Sequence, residues 1–198
     1  MIERQIRPAI LLTVTLMVIT GLAYPGIVTG LAQLMFPRQA NGSLVSKDGR
    51  VVGSSLIGQK FAEPWYFHPR PSAAGDSYDA TASGGTNKGP TDRRLADTLI
   101  TSAVAAAIKD GAVKGKIPAD MVTASASGLD PHISPANAQL QIARVAASRG
   151  ASAGAIRALI ERHTESRQFG IFGDPRVNVL QLNLALDREF PLAGRPGT

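Results

Sequence analysis

Cysteine is absent from the 198 residues, which excludes a disulfide scaffold, a thiolate zinc or iron–sulfur site and a cysteine nucleophile. Histidine occurs only at positions 68, 132 and 163, too sparse for a histidine-rich metal centre. Aromatic residues make up 5% of the chain, too few for a base-stacking platform. The net charge is +6, yet the basic residues do not gather into a stripe. The densest clusters are Arg93-Arg94 and Lys114-Gly115-Lys116, so a solvated basic surface is expected and nucleic acid is not an expected partner. There is no G-x-x-x-x-G-K-[ST] loop and no G-x-G-x-x-G following a strand.

What the chain does have is a long apolar run. Between Arg7 and Arg38 lie 30 consecutive uncharged residues. About 20 apolar residues suffice to cross a hydrocarbon core. A cleavable signal sequence has a hydrophobic region of only about 7–15 residues, so the length favours an uncleaved anchor over cleavage near Ala32. Pro25 is expected to kink this helix or to end its regular part. Arg4 and Arg7 precede the run and predict a cytoplasmic N-terminus with the rest of the chain outside. The domains expected are residues 1–7 in the cytoplasm, 8–36 as the transmembrane helix and 38–198 as the extracytoplasmic domain. Gly26 and Gly30 stand four apart, with Gly21 five residues earlier. That spacing lets a second helix approach closely in lipid.

Beyond the anchor, Asp48-Gly49 between Leu44-Val45 and Val51-Val52 predicts a tight hairpin. Residues 61–90 lack helical periodicity and form a loop layer with an aromatic knot, Trp65-Tyr66-Phe67. Long ordered loops tend to be functional, which marks Trp65, Tyr66, Phe67 and Arg70 as interface candidates. Thr91-Asp92 opens a helix carrying Leu95, Leu99, Ala103, Ala106 and Ala107 on one stripe, ending near Gly111. Ser134-Pro135 opens a second that stops at Gly150, and Ser152 opens a third. Residues 177–190 fit either a strand or a helix. Together these elements predict an α+β class: one N-terminal transmembrane helix followed by a small mixed helix/strand domain.

The candidate chemistry is thin. Residues 150–154 spell G-x-S-x-G, but a nucleophile elbow needs a strand before its serine, and here a helix precedes Ser152. Asp130 and His132 lie near Ser125 and Ser127, from which a serine–histidine–aspartate set can be drawn on paper. Ser83-Gly84-Gly85 could present backbone amides to an anion, with a turn as the simpler use. No catalytic residue and no metal ligand is assigned. A membrane-anchored serine hydrolase and a secreted binding protein are the alternatives to a binding or assembly subunit.

Several strings then occur in a telling order: ANGSL (40–44), SSLIGQKF (54–61), YFHPRPSA (66–73), YDATASGGTNKGP (78–90), VTASASGLDPHISP (122–135), QIARVA (141–146) and VNVLQLNLALD (177–187). With the anchor, they resemble the C-chain family of the bacterial Kdp potassium-transporting ATPases. The resemblance implies a single-span accessory subunit of the inner membrane. Its implied partners are a potassium-translocating chain, a P-type ATP-hydrolysing chain, a small membrane peptide and membrane lipid. It further implies a role in assembly and as a catalytic chaperone that raises the hydrolytic chain's affinity for ATP. The DKTG phosphorylation signature of P-type pumps is missing here. Relatives carry an LSxxQ string at the start of the third helix, whose glutamine is likened to a nucleotide contact. Here residues 151–155 align with it, and the glutamine position is Ala155, a methyl group. No cofactor is therefore expected on this chain itself, and ATP enters only through the complex.

Overall fold

The computed structural model describes residues 2–192; Met1 and residues 193–198, the ends of the expected first and last domains, lie outside them. The chain divides into two compact units, residues 1–52 and 53–198.

In the first unit, α1 (Ile2–Val18) runs through a π turn (Ile19–Ala23) into α2 (Tyr24–Met35). The helical stretch Arg4–Met35 contains an 18-residue window whose mean hydropathy is 1.9, none of that window is buried, and the stretch is long and apolar enough to cross a membrane. Pro25 has no N–H for the Gly21 carbonyl, and its ring crowds that carbonyl. The chain answers with a widened turn: the Tyr24 N–H donates to Ile19, five residues back. The Thr20 hydroxyl donates to the Leu16 carbonyl at 2.7 Å. The helix thus continues past Pro25, with its irregularity placed just before the proline.

A short helix, α3 (Pro37–Ala40), starts on Pro37 and is followed by β1 (Leu44–Lys47) and β2 (Arg50–Ser54). The expected turn joins the two strands. Asp48 and Gly49 both have positive φ, 51° and 76°, the pair of left-handed residues that a two-residue hairpin of matching twist requires.

The second unit is the small mixed domain. Its loop layer is followed by a π turn (Leu95–Ile100) leading into α4 (Thr101–Lys109), then α5 (Ala119–Val122) and β3 (His132–Ile133). Next come α6 (Pro135–Leu140), α7 (Ile142–Arg149), α8 (Ala153–Arg162), β4 (Thr164–Glu165), β5 (Arg176–Asn178) and α9 (Val179–Glu189). The expected caps are in place. Ser134 and Ser152 accept the N–H groups of Asn137 and Ala155, and Gly150 ends α7 with φ 63°. The ambiguous segment 177–190 is both things in turn. Asn178 pairs with His132 in a three-stranded antiparallel sheet of order β3-β5-β4, and its side chain then caps α9.

The core is built from Ile133, Ile142, Val145, Ile156, Leu159, Ile160, Val177, Leu182 and Leu186. It gathers one face of each of α7, α8 and α9 over the sheet, the arrangement that buries a 3.6-period stripe. One core residue comes from the loop layer. Phe67 is fully buried within it.

Candidate functional site

The loop layer is where the singled-out residues meet, and polar side chains from distant helices hold it down. Gln141 accepts the His68 N–H at 2.7 Å and donates to the His68 carbonyl at 3.0 Å. Asn183 on α9 grips the backbone of Phe67 in the same two-bond manner. An extended segment is thereby fastened to the helices as if it were a strand, with amide side chains supplying the partners its backbone must find.

Arg149 closes the aromatic knot. Its side chain is fully buried and makes an ion pair with Asp187 at 2.8 Å. It also donates to the carbonyls of Trp65 (2.9 Å) and Phe190 (3.0 Å), and its guanidinium lies 5.1 Å from the Tyr66 ring centre. Tyr66 completes the set by donating its hydroxyl to Asp187 at 3.0 Å. Burial, followed by the Asp187 charge, raises the Tyr66 pKa, so the phenol keeps its proton. Phe61 meets Tyr66 edge-on, with ring centres 5.4 Å apart.

Beside it lies a second cluster. Arg144 reaches the carbonyls of Pro64 and Tyr66 and the Gln141 amide oxygen. Asp110 Oδ2 sits 3.3 Å from Arg144 Nε and 3.6 Å from His68 Nδ1. Burial lowers the His68 pKa, the Arg144 charge lowers it further, and Asp110 with the Glu63 carbonyl only partly compensates. His68 is neutral at pH 7 by this account. A cavity of about 250 Å³ opens here, lined by Lys60, His68, Arg70, Tyr78, Asp110 and Gln141 among others.

Arg70, Asp130 and His132 do come together. Arg70 Nη1 donates to Asp130 Oδ2 at 2.8 Å, and Asp130 Oδ1 accepts the His132 N–H at 3.0 Å. Burial pushes the Asp130 carboxyl upward, but the bonds from His132 and Arg70 outweigh it and hold the pKa below its usual value. The serines drawn with them on paper are otherwise engaged. The Ser125 and Ser127 hydroxyls lie 3.4 Å apart, and Ser127 accepts the Leu129 N–H at 3.1 Å. None of their described bonds goes to His132. A nucleophile needs its base within reach, so no triad is assembled.

Ser83-Gly84-Gly85 stitches loops together. The Ser83 hydroxyl and the Gly84 N–H both donate to the Ser127 carbonyl, each at 2.9 Å, so that amide is already committed and not turned to an anion. Gly128 shows how close the loops run. With φ +67°, a Cβ there would stand 2.6 Å from the Gly84 carbonyl oxygen and 2.7 Å from the Ala74 nitrogen. Ser72 ties the same junction by donating to the Gly128 carbonyl at 2.6 Å and accepting the Tyr78 N–H at 2.9 Å.

Ser152 is a helix cap, as its context predicts, and Ala155 supplies the N–H that it accepts. In the first unit, a Cβ added at Gly21, Gly26 or Gly30 would meet nothing within 4 Å. Among the described residues, no group of three or more His, Asp or Glu side chains is placed to hold a metal ion.

Comparison with known proteins decides the family. The profile described as "KdpC: K+-transporting ATPase, c chain" matches residues 6–188. The chain belongs to the KdpC family. A KdpC subunit of a potassium-transporting ATPase from Gemmatimonas aurantiaca is 61% identical over 185 residues, covering 93% of this chain and 92% of that protein. The KdpC subunit of Koribacter versatilis is 51% identical over 190 residues, 96% of this chain and 97% of that one. That of Rhodospirillum rubrum is 54% identical over 190 residues, 96% and 98%. Potassium transport is thus the setting of this KdpC-family chain, with one N-terminal helix able to cross a membrane.

The residues that hold the KdpC loop layer were the ones sequence reasoning missed: Gln141, Arg144, Arg149, Asn183 and Asp187. A signal for two of them existed. Gln141 and Asn183 are amides at core-facing positions of otherwise apolar helical stretches, and a polar group placed there must find a partner.

Proposed function

We propose that this chain is a non-catalytic accessory subunit of an ATP-driven potassium uptake complex, needed for its assembly, with hydrolysis carried by a P-type partner chain. The observation that carries this reading is the likeness to KdpC subunits over more than nine-tenths of both chains. The chemistry of the loop layer supports it. Of the groups from which a triad could be drawn, Asp130 is spent on Arg70 and the His132 N–H, and the Ser127 hydroxyl on the Leu129 N–H within its own turn. Its partners are the potassium-translocating chain, the hydrolytic chain and a small membrane peptide.

The chain lies in the inner membrane with Arg4 and Arg7 on the cytoplasmic side and residues 38–198 outside. A domain outside cannot touch ATP bound inside, and Ala155 carries no amide for it. Any effect on ATP affinity is therefore transmitted through the membrane or through assembly. Membrane lipid around Arg4–Met35 is its other contact.

Affinity purification of the tagged full-length chain from native membranes tests the reading. Recovery of the potassium-translocating and hydrolytic chains in fixed ratio is expected, and their absence would overturn it. The topology is tested separately. The exposed position of Ser166 in a cysteine-free chain makes Ser166→Cys a clean reporter. It should react with a membrane-impermeant maleimide in intact spheroplasts. Labelling only after lysis would reverse the orientation.

A further inference from the structure

The connection between β4 and β5 is an ordered turn that presents apolar side chains to solvent. Gln168 and Phe172 exchange both backbone hydrogen bonds at 2.9 Å, and the Ile171 N–H adds a third to the Gln168 carbonyl at 3.1 Å. Below this closure stand two ion pairs, Arg167 with Asp174 and Arg176 with Glu165, both at 2.9 Å. A turn held this firmly has the means to fold its side chains away. Instead Phe169 is 93% exposed, Ile171 72% and Phe172 64%. Phe169 also sits at φ 53°, a left-handed conformation that a bulky side chain adopts only where its surroundings enforce it. Single exposed apolar residues need no explanation, but three on one stapled tip mark a binding surface.

The charges select the occupant. Anchors for an anionic membrane surface combine apolar residues with spare Lys and Arg, and favour Trp and Tyr at the interface. Both arginines flanking this tip are already neutralised by an acid, and its aromatics are both Phe. Such a tip suits an uncharged apolar recess in a protein, where rigid side chains bind with little loss of freedom.

We infer that Phe169, Ile171 and Phe172 insert into an apolar, uncharged recess on another chain of the transport complex, on the same face of the membrane as this domain. This inference rests on the accessory-subunit reading and supplies it with a docking element.

The test replaces Phe169 with the photoreactive analogue p-benzoylphenylalanine in the full-length chain within native membranes. The exposed Arg157 position on α8 carries the same probe as control. Irradiation should join position 169, and not 157, to a chain that co-purifies with the tagged wild-type subunit. In parallel, Phe169→Ser with Ile171→Ser and Phe172→Ser should lower recovery of that partner by about tenfold while the thermal midpoint of the domain stays unchanged. If the wild-type chain recovers its partners but the probe at 169 yields only lipid adducts, adducts to a second copy of this chain, or none above the control, the docking role is overturned and the subunit reading stands. If the wild-type chain recovers no transport subunit, both fall.

Discussion

Asn183 on α9 and Phe67 in the loop layer, 116 residues apart, form a two-bond ring: the Phe67 N–H donates to Asn183 Oδ1 at 2.9 Å, and Asn183 Nδ2 donates to the Phe67 carbonyl at 3.0 Å. Both groups are buried, so neither finds water if the amide is removed. Asn183→Leu should cost about 2–4 kcal/mol, the penalty of leaving a buried donor and acceptor unmade. Urea unfolding of the detergent-solubilised full chain, followed by the fluorescence of its single tryptophan, Trp65, reads this directly. A loss below about 0.5 kcal/mol, ordinary for a surface position, would mean the ring does not hold the loop.

Arg149 should be intolerant even of lysine. Its fork serves Asp187 and the carbonyls of Trp65 and Phe190 at once, and a single ammonium lacks that geometry. Arg149→Lys is expected to destabilise by about 2–4 kcal/mol, approaching the cost of breaking a buried ion pair. A shifted Trp65 emission maximum should accompany the loss, because the Trp65 carbonyl is one of the three anchors. Wild-type stability in the lysine variant would refute the fork.

Acid should loosen the domain in the range of histidine, before carboxylates titrate. Burial lowers the His68 pKa, and burial with Arg162 and Arg188 lowers that of His163. For a folded value below the unfolded one, the unfolded state takes up protons first as pH falls. Stability is then complete above about pH 6.5 and declines as pH drops through the folded values. Urea midpoints compared at about pH 7.5 and pH 5.5 should show the decline, and His68→Gln should reduce it. Asp130, held low, adds its own loss only below about pH 4. An unchanged midpoint between the two pH values would remove the histidines from the account.

Gly26 and Gly30 leave the side of the apolar helix where their Cβ atoms would stand free of contacts. Gly26→Leu combined with Gly30→Leu should leave membrane insertion intact and weaken co-purification of the complex, because bulky side chains keep a neighbouring helix at a distance. Undiminished recovery would show that no partner helix packs against Gly26 and Gly30.

Much of the local structure was legible in the sequence because its causes are local. Asp48-Gly49 supplies both left-handed residues of its turn, Ser134 and Ser152 carry the capping hydroxyls, and Gly150 provides the stop. The length of the apolar run likewise announces the long helix Arg4–Met35. The pins of the loop layer were not legible, since Arg149 and Asn183 acquire meaning only when the fold brings them to Trp65 and Phe67. Residues 177–190 resisted a single reading because Asn178 is at once the last residue of β5 and the cap of α9. The tip at Phe169 was missed for a different reason: its composition resembles a core segment, and only its exposure sets it apart.

The central claim, that this chain serves a potassium-transporting ATPase without itself performing the chemistry, is tested most directly by potassium-stimulated ATP hydrolysis in membranes that express the potassium-translocating and hydrolytic chains with or without it. The account predicts that potassium-stimulated hydrolysis falls to background when this chain is omitted and returns when the full-length chain is restored. Equal hydrolysis with and without the chain, at equal levels of the other subunits, would contradict it.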